Sequence, residues 1–224
     1  VRLPAYLSYP VEHAPKFTDS QHSASAGERP KTGSGCRWWA RVLPMHVSST
    51  QGVVVALHDL GGDGPPLIIC HATGFNGRTY EPFARLLTGH HHVWAIDFRG
   101  HGASTPPDGE NFDWGGMVDD LLASIDAIGG GPVFAIGHSL GGATVIGAAH
   151  RRPGSIERAY LYEPIVMPRE WERAEGDNRM AGPARKRREV FGSREEALMR
   201  YASRTPLGVL RADCLAAYVE HGFV

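Results

Sequence analysis

Lysine is almost missing from this chain of 224 residues: three stand against twenty arginines. The 23 basic residues are balanced by 24 acidic ones, giving a formal net charge of −1. That balance supplies no general attraction to nucleic acid or to an anionic membrane. Cysteine is equally scarce. Cys36, Cys70 and Cys214 lie far apart, which excludes a paired disulfide framework and a cysteine metal spacing. No run approaches the roughly 18 apolar residues of a membrane span. The first residues also lack a charged start followed by an apolar signal core. These absences favour a reduced, cytoplasmic setting, with Cys70 as a small core residue inside an apolar run.

What is present falls into three parts. Residues 1–48 carry "HAPKFTDSQHSASAGERPKTGSG", rich in Pro, Ser and Gly and without apolar period, which predicts a disordered extension. Residues 49–164 alternate strand-like and helix-like patterns. "VVVALHDL" and "PLIICHA" flank "GGDGPP" and predict two strands joined by a tight turn. "YEPFARLL" has helical spacing and "HVWAIDF" reads as a strand. Between Asp113 and Gly129, Trp114, Met117, Val118, Leu121, Ile125 and Ile128 fall on one helical face, with Asn111 or Asp113 as N-cap. "PVFAIGHS", "LGGATVIGAAHRRP" and "IERAYLYEPI" then read as strand, helix and strand. Such alternation predicts an α/β fold, a mostly parallel sheet with helices on both faces. Residues 165–224 show helical patterns only, the last carrying Leu207, Leu210, Cys214, Ala217, Tyr218 and His221. They are expected to form a helical cap.

Gly137-His138-Ser139-Leu140-Gly141 fits G-x-S-x-G between a strand and a helix, the setting in which that motif makes a sharp turn presenting a serine nucleophile. The glycines give the helix room to pass close to the strand. The hydroxyl then stands at a helix N-terminus, where the dipole favours developing negative charge. An oxyanion hole needs two backbone amides aimed at that charge. The expected pair is the N–H groups of Leu140 and of Phe75 in "CHATGFNGRTYEPF", with Phe75 as a pocket wall the alternative. In "DFRGHGAS", Asp97 and Arg99 are expected to order the loop, and His101 to be architectural rather than a catalytic base.

"HATGFNGR", "DFRGHGAS" and "AIGHSLGGA", in this order and spacing, together resemble the α/β-hydrolase superfamily over residues 50–165. The resemblance implies a cofactor-free serine hydrolase acting on a small hydrophobic ester, thioester or lactone. Acyltransferase and cofactor-free haloperoxidase activities share the same machinery. Serine at the elbow counts against the epoxide hydrolases and haloalkane dehalogenases of similar fold, which use Asp. In such proteins the triad runs nucleophile, acid, histidine along the chain, and the strands that carry the acid and the histidine have no counterpart before Val224. The chain therefore reads as truncated within its cap, and a non-catalytic relic is the rival from another class.

Two residues compete for the missing roles. Glu163, ending the strand after the elbow, resembles the acid position of some relatives; otherwise it orients the cap or fixes the Pro164 turn. His221 is the only late histidine, on a cap helix where a triad base would be unusual. His90, His91 and His92 suit a solvated turn rather than a metal site, with no acidic or cysteine partner nearby in sequence. The basic run Arg185–Glu189 suits a solvent-facing cap helix. Met167, Trp171 and Met180 are expected to wall an apolar pocket for the substrate. The strand ending at Glu163 is expected to be an exposed, aggregation-prone edge.

Overall fold

The computed structural model describes residues 43–110, 112–166, 188 and 190–223. Six strands form one sheet: β1 (Met45–Ser48), β2 (Val54–Asp59), β3 (Pro66–Cys70), β4 (His92–Asp97), β5 (Val133–His138) and β6 (Ile156–Tyr162). Their order is β1-β2-β4-β3-β5-β6. The first two pairings, β1 with β2 and β2 with β4, are antiparallel; the other three are parallel. The α/β class with a mostly parallel sheet is thus as the sequence implies. Helices α1 (Glu81–Ala84), α2 (Trp114–Ala127) and α3 (Leu140–Arg151) alternate with the strands, and α4 (Arg194–Ala202) and α5 (Ala212–Gly222) follow them.

Several boundaries differ from expectation. Met45–Ser48, placed with the extension, is a sheet strand that registers Val47 opposite Val55. The two strands flanking "GGDGPP" do not pair, because β4 inserts between them. The apolar β3, with Leu67, Ile68, Ile69 and Cys70 all buried, takes a parallel neighbour on each side. The helix expected over 80–87 shrinks to Glu81–Ala84, since Leu86 and Leu87 turn onto i−3 carbonyls. The last expected helix is broken: Leu207–Val209 forms a 3-10 turn, and Leu210 and Arg211 are extended before α5 begins.

Helix α2 starts at Asp113, whose carboxylate accepts the Gly116 N–H at 2.7 Å. It buries Met117, Val118, Leu121 and Ile125 against the sheet, while Trp114, in its first turn, stays 40% exposed. Helix α3 crosses β3 and β5 closely. A Cβ on Gly137 would come within 2.7 Å of the Gly142 Cα, and one on Gly141 would strike the Cys70 carbonyl oxygen. Those close approaches are what the elbow glycines permit. A second apolar cluster joins Phe191, Leu207, Leu215, Tyr218, Val219 and Phe223, with Phe75 at its margin, and α5 rests on the segment 77–84. Among the described residues β6 has no neighbour on its outer side, and Tyr160 and Tyr162 on it are exposed.

Candidate active site

Ser139 sits at φ 52°, ψ −112° between β5 and α3. A side chain there costs on the order of 1–3 kcal/mol, so the surroundings must hold it. They do so through the backbone. Ser139 N–H donates to Tyr162 O at 2.9 Å, and its carbonyl accepts from Ala143 N–H at 3.1 Å and Ile165 N–H at 3.2 Å. The hydroxyl makes no capping bond into its own helix. Leu140, whose side chain is buried, is the first helical residue, and a helix leaves its first amides without intrahelical acceptors.

The other expected oxyanion donor is corrected. Phe75 N–H donates to Ala72 O at 3.0 Å, closing a turn whose third residue, Gly74, has φ 76° and so is of type II. That amide is committed to the turn; Thr73 and Gly74 carry the two inner amides. The Phe75 ring instead wedges between the elbow and α5, its centroid 5.9 Å from His138, 6.3 Å from Tyr80 and 5.2 Å from Tyr218.

Glu163 directly follows β6 beside the elbow and is one of only three described non-glycine residues with positive φ, at 46°. Its side chain is exposed. Pro164 packs so tightly against α3 that a Cβ on Gly142 would lie 2.7 Å from the Pro164 Cβ. Glu163 acts electrostatically on His138: burial lowers the His138 pKa, and the Glu163 charge opposes that.

Sequence reasoning missed the His138–Tyr80 pair. Tyr80 Oη lies 2.7 Å from His138 Nδ1 and accepts the Ala72 N–H at 3.3 Å. Its only sequence signal is that His138 occupies the x position before the elbow serine. The turn carrying Tyr80 is capped by Asn76, whose side chain accepts the Thr79 N–H at 3.0 Å. Gly77 N–H donates to Asp97 Oδ1 at 2.6 Å. Asp97 Oδ2 also meets His58 Nε2 at 2.9 Å and accepts the Ala103 N–H at 2.9 Å. Burial pushes the Asp97 carboxyl up, but the His58 bond, the histidine charges and the Ala103 amide outweigh it and hold the pKa below its usual value.

Asp97 and Arg99 order their loop as expected, Arg99 through a fully buried pair with Asp120. His101 is architectural: buried, with Nδ1 3.0 Å from Arg99 O. His71 donates Nδ1–H to Ala72 O at 2.8 Å and accepts the Phe98 N–H on Nε2 at 3.1 Å. Burial first, then the His101 charge, brings its pKa down to about 3. His221 is set among Arg78, Glu81 and Glu220. In the histidine run, His92 does have an acidic partner, Asp59 at 2.9 Å; among the described residues no cluster of three metal-ligating side chains occurs. Arg188 of the basic run pairs with Glu196 at 2.7 Å and lies over the Phe191 ring. Met167, Trp171 and Met180 lie outside the described residues. No helix of the described residues is long and apolar enough to cross a membrane.

The model of the alpha/beta hydrolase family matches residues 67–222, more than half of the sequence. The chain belongs to that family. This hydrolase-family chain is 32% identical over 99 residues to an (E)-2-((N-methylformamido)methylene)succinate hydrolase of Acinetobacter baylyi, covering 43% of this chain and 36% of that protein. It is 37% identical over 109 residues to the monoglyceride lipase of Homo sapiens, covering 45% and 35% respectively. Each match thus spans about a third of the curated relative. Among solved structures, an E-2-(acetamidomethylene)succinate hydrolase superposes with a TM-score of 0.67 at 22% identity, covering 80% of this chain and 64% of that one. At that identity the likeness is one of fold.

Proposed function

We propose that Ser139 is the nucleophile of a serine hydrolase that opens a small hydrophobic carboxylic ester, thioester or lactone. A histidine takes the Ser139 proton as Oγ attacks the carbonyl carbon. The tetrahedral oxyanion rests on the Leu140 N–H and on an inner amide of the 72–75 turn. Collapse expels the alcohol or thiol, protonated by the same histidine, and water then releases the acid from the acyl-enzyme. The observation that carries this reading is the strained Ser139 backbone at the head of α3, held by three hydrogen bonds while its hydroxyl makes no cap. Glu163 is the proposed acid that orients the histidine. Phe75, Met167 and Trp171 are the proposed pocket walls, no cofactor takes part, and the setting is cytoplasmic. The relatives' names add succinate-derived and monoacylglycerol compounds to the substrates worth assaying.

The test is covalent labelling by a fluorophosphonate, located by peptide mass spectrometry. Label on Ser139, lost in Ser139→Ala, is expected; a wild-type chain that takes none refutes the nucleophile. One observation favours a second reading, a non-catalytic ligand-binding role: among the described residues no histidine hydrogen-bonds the Ser139 hydroxyl. Equal affinity of the wild type and Ser139→Ala for a hydrophobic ester, without turnover in either, would favour that second reading.

A further inference from the structure

We infer that Tyr80 is a positioning residue, whose one hydroxyl fixes the turn bearing the oxyanion amides against the residue that precedes the nucleophile. This rests on the serine-hydrolase reading above. Tyr80 Oη accepts the Ala72 N–H at 3.3 Å and has one proton of its own to donate, which we assign to His138 Nδ1, 2.7 Å away. Burial pushes the Tyr80 phenol well above its usual range, so the proton stays on oxygen. With Nδ1 accepting, neutral His138 must carry its hydrogen on Nε2. The titratable groups around that imidazole are Tyr80, Tyr162, whose ring centroid is 5.0 Å away, and Glu163.

The two ends of this chain of bonds are the ones a serine hydrolase must keep in register. Ala72 opens the type II turn, since its carbonyl accepts the Phe75 N–H. His138 is the last residue of β5, directly before Ser139. These segments lie 58 residues apart in sequence for the Tyr80–His138 bond. Tyr80 itself is anchored from below, by the Asn76 cap and by Gly77 on the buried Asp97 carboxylate. A group held this way can set a distance between amide and hydroxyl that loose packing cannot, and small misplacements of reacting groups are costly.

Tyr80→Phe keeps the ring and removes the hydroxyl. In the full chain it is expected to slow fluorophosphonate labelling of Ser139 by about 10-fold, the loss of one well-made hydrogen bond. Side-chain 15N spectra should show His138 passing from a single Nε2–H tautomer to a mixture, and the Ala72 amide proton should exchange faster. His138→Ala should cost as much as Tyr80→Phe, and the double variant no more, because both break one chain. His138→Asn, whose Oδ1 can stand where Nδ1 accepts, should label within about 3-fold of wild type. Unchanged labelling in Tyr80→Phe, a retained single tautomer, multiplying single effects or an unrescued His138→Asn would each overturn the inference. If the wild type itself takes no label, the nucleophile reading fails. The tautomer and the Ala72 exchange rate then decide the Tyr80 bond network separately, a mixture sustaining it and a retained tautomer overturning it.

Discussion

Replacing Asp120 by alanine examines the most heavily bonded polar site of the core. Both Asp120 and Arg99 are fully buried. The Asp120 carboxylate accepts from Arg99 N at 3.1 Å, Nε at 2.9 Å and Nη2 at 2.8 Å, and from the Ser49 hydroxyl at 2.5 Å. Alanine would leave the guanidinium with only the Gln51 and Thr50 side-chain oxygens as described acceptors. Neither is charged. Removing one member of a buried pair costs about 3–5 kcal/mol. At about 2–4 °C per kcal/mol for a domain of this size, the melting midpoint should drop by about 6–20 °C. Urea unfolding followed by circular dichroism measures the loss directly. Changing both partners, Arg99→Met with Asp120→Leu, removes the stranded charge and should recover most of it. If Asp120→Ala costs under about 1 kcal/mol, or the double variant is worse than the single, the pair is not what holds this loop.

Two further outcomes follow from burial and exposure. His71, whose folded pKa of about 3 lies below the ordinary 6.5, is held neutral by the fold. As pH falls below about 6.5, the unfolded chain gains a proton that the folded chain refuses, so stability present at neutral pH drains away between about 6.5 and 3. This group alone should remove about 2 kcal/mol by pH 5, and equal urea midpoints at pH 7.5 and 5.0 would contradict it. Strand β6 has no neighbour on its outer edge among the described residues, the kind of edge that pairs with other chains, and it carries Tyr160 and Tyr162, 64% and 52% exposed, on one sheet face. Substituting lysine at both should shift sedimentation profiles toward monomer; no change would remove β6 as the route of self-association.

The sharp strand-to-helix turn at Ser139 was legible because its signal is local: five consecutive residues carry it, since such a turn needs small neighbours on either side. Helix α2 was legible from its period and from Asp113. Partners that meet only after folding were not. His92 finds Asp59 across 33 positions, and Tyr80 finds His138 across 58. The β2–β3 hairpin was expected because a short Gly/Pro connection is the usual sign of one, yet β3 is buried enough to need two parallel partners. Strand β1 has four residues, too few for an alternation to stand out beside a polar tract. The Phe75 amide was misassigned for a local reason: the turn that exposes inner amides consumes the amide of its fourth residue.

The Asp97 carboxylate receives hydrogen bonds from three separate stretches, at His58, Gly77 and Ala103. At 2% exposure it gives the three stretches one shared anchor inside the fold. An insertion that lengthens the loop at 98–105 would therefore be felt at Tyr80, two loops away, and one near Tyr80 would be felt at Ala103. For anyone grafting loops onto this scaffold, the three stretches form one exchangeable cassette, to be transplanted together with the aspartate or not at all.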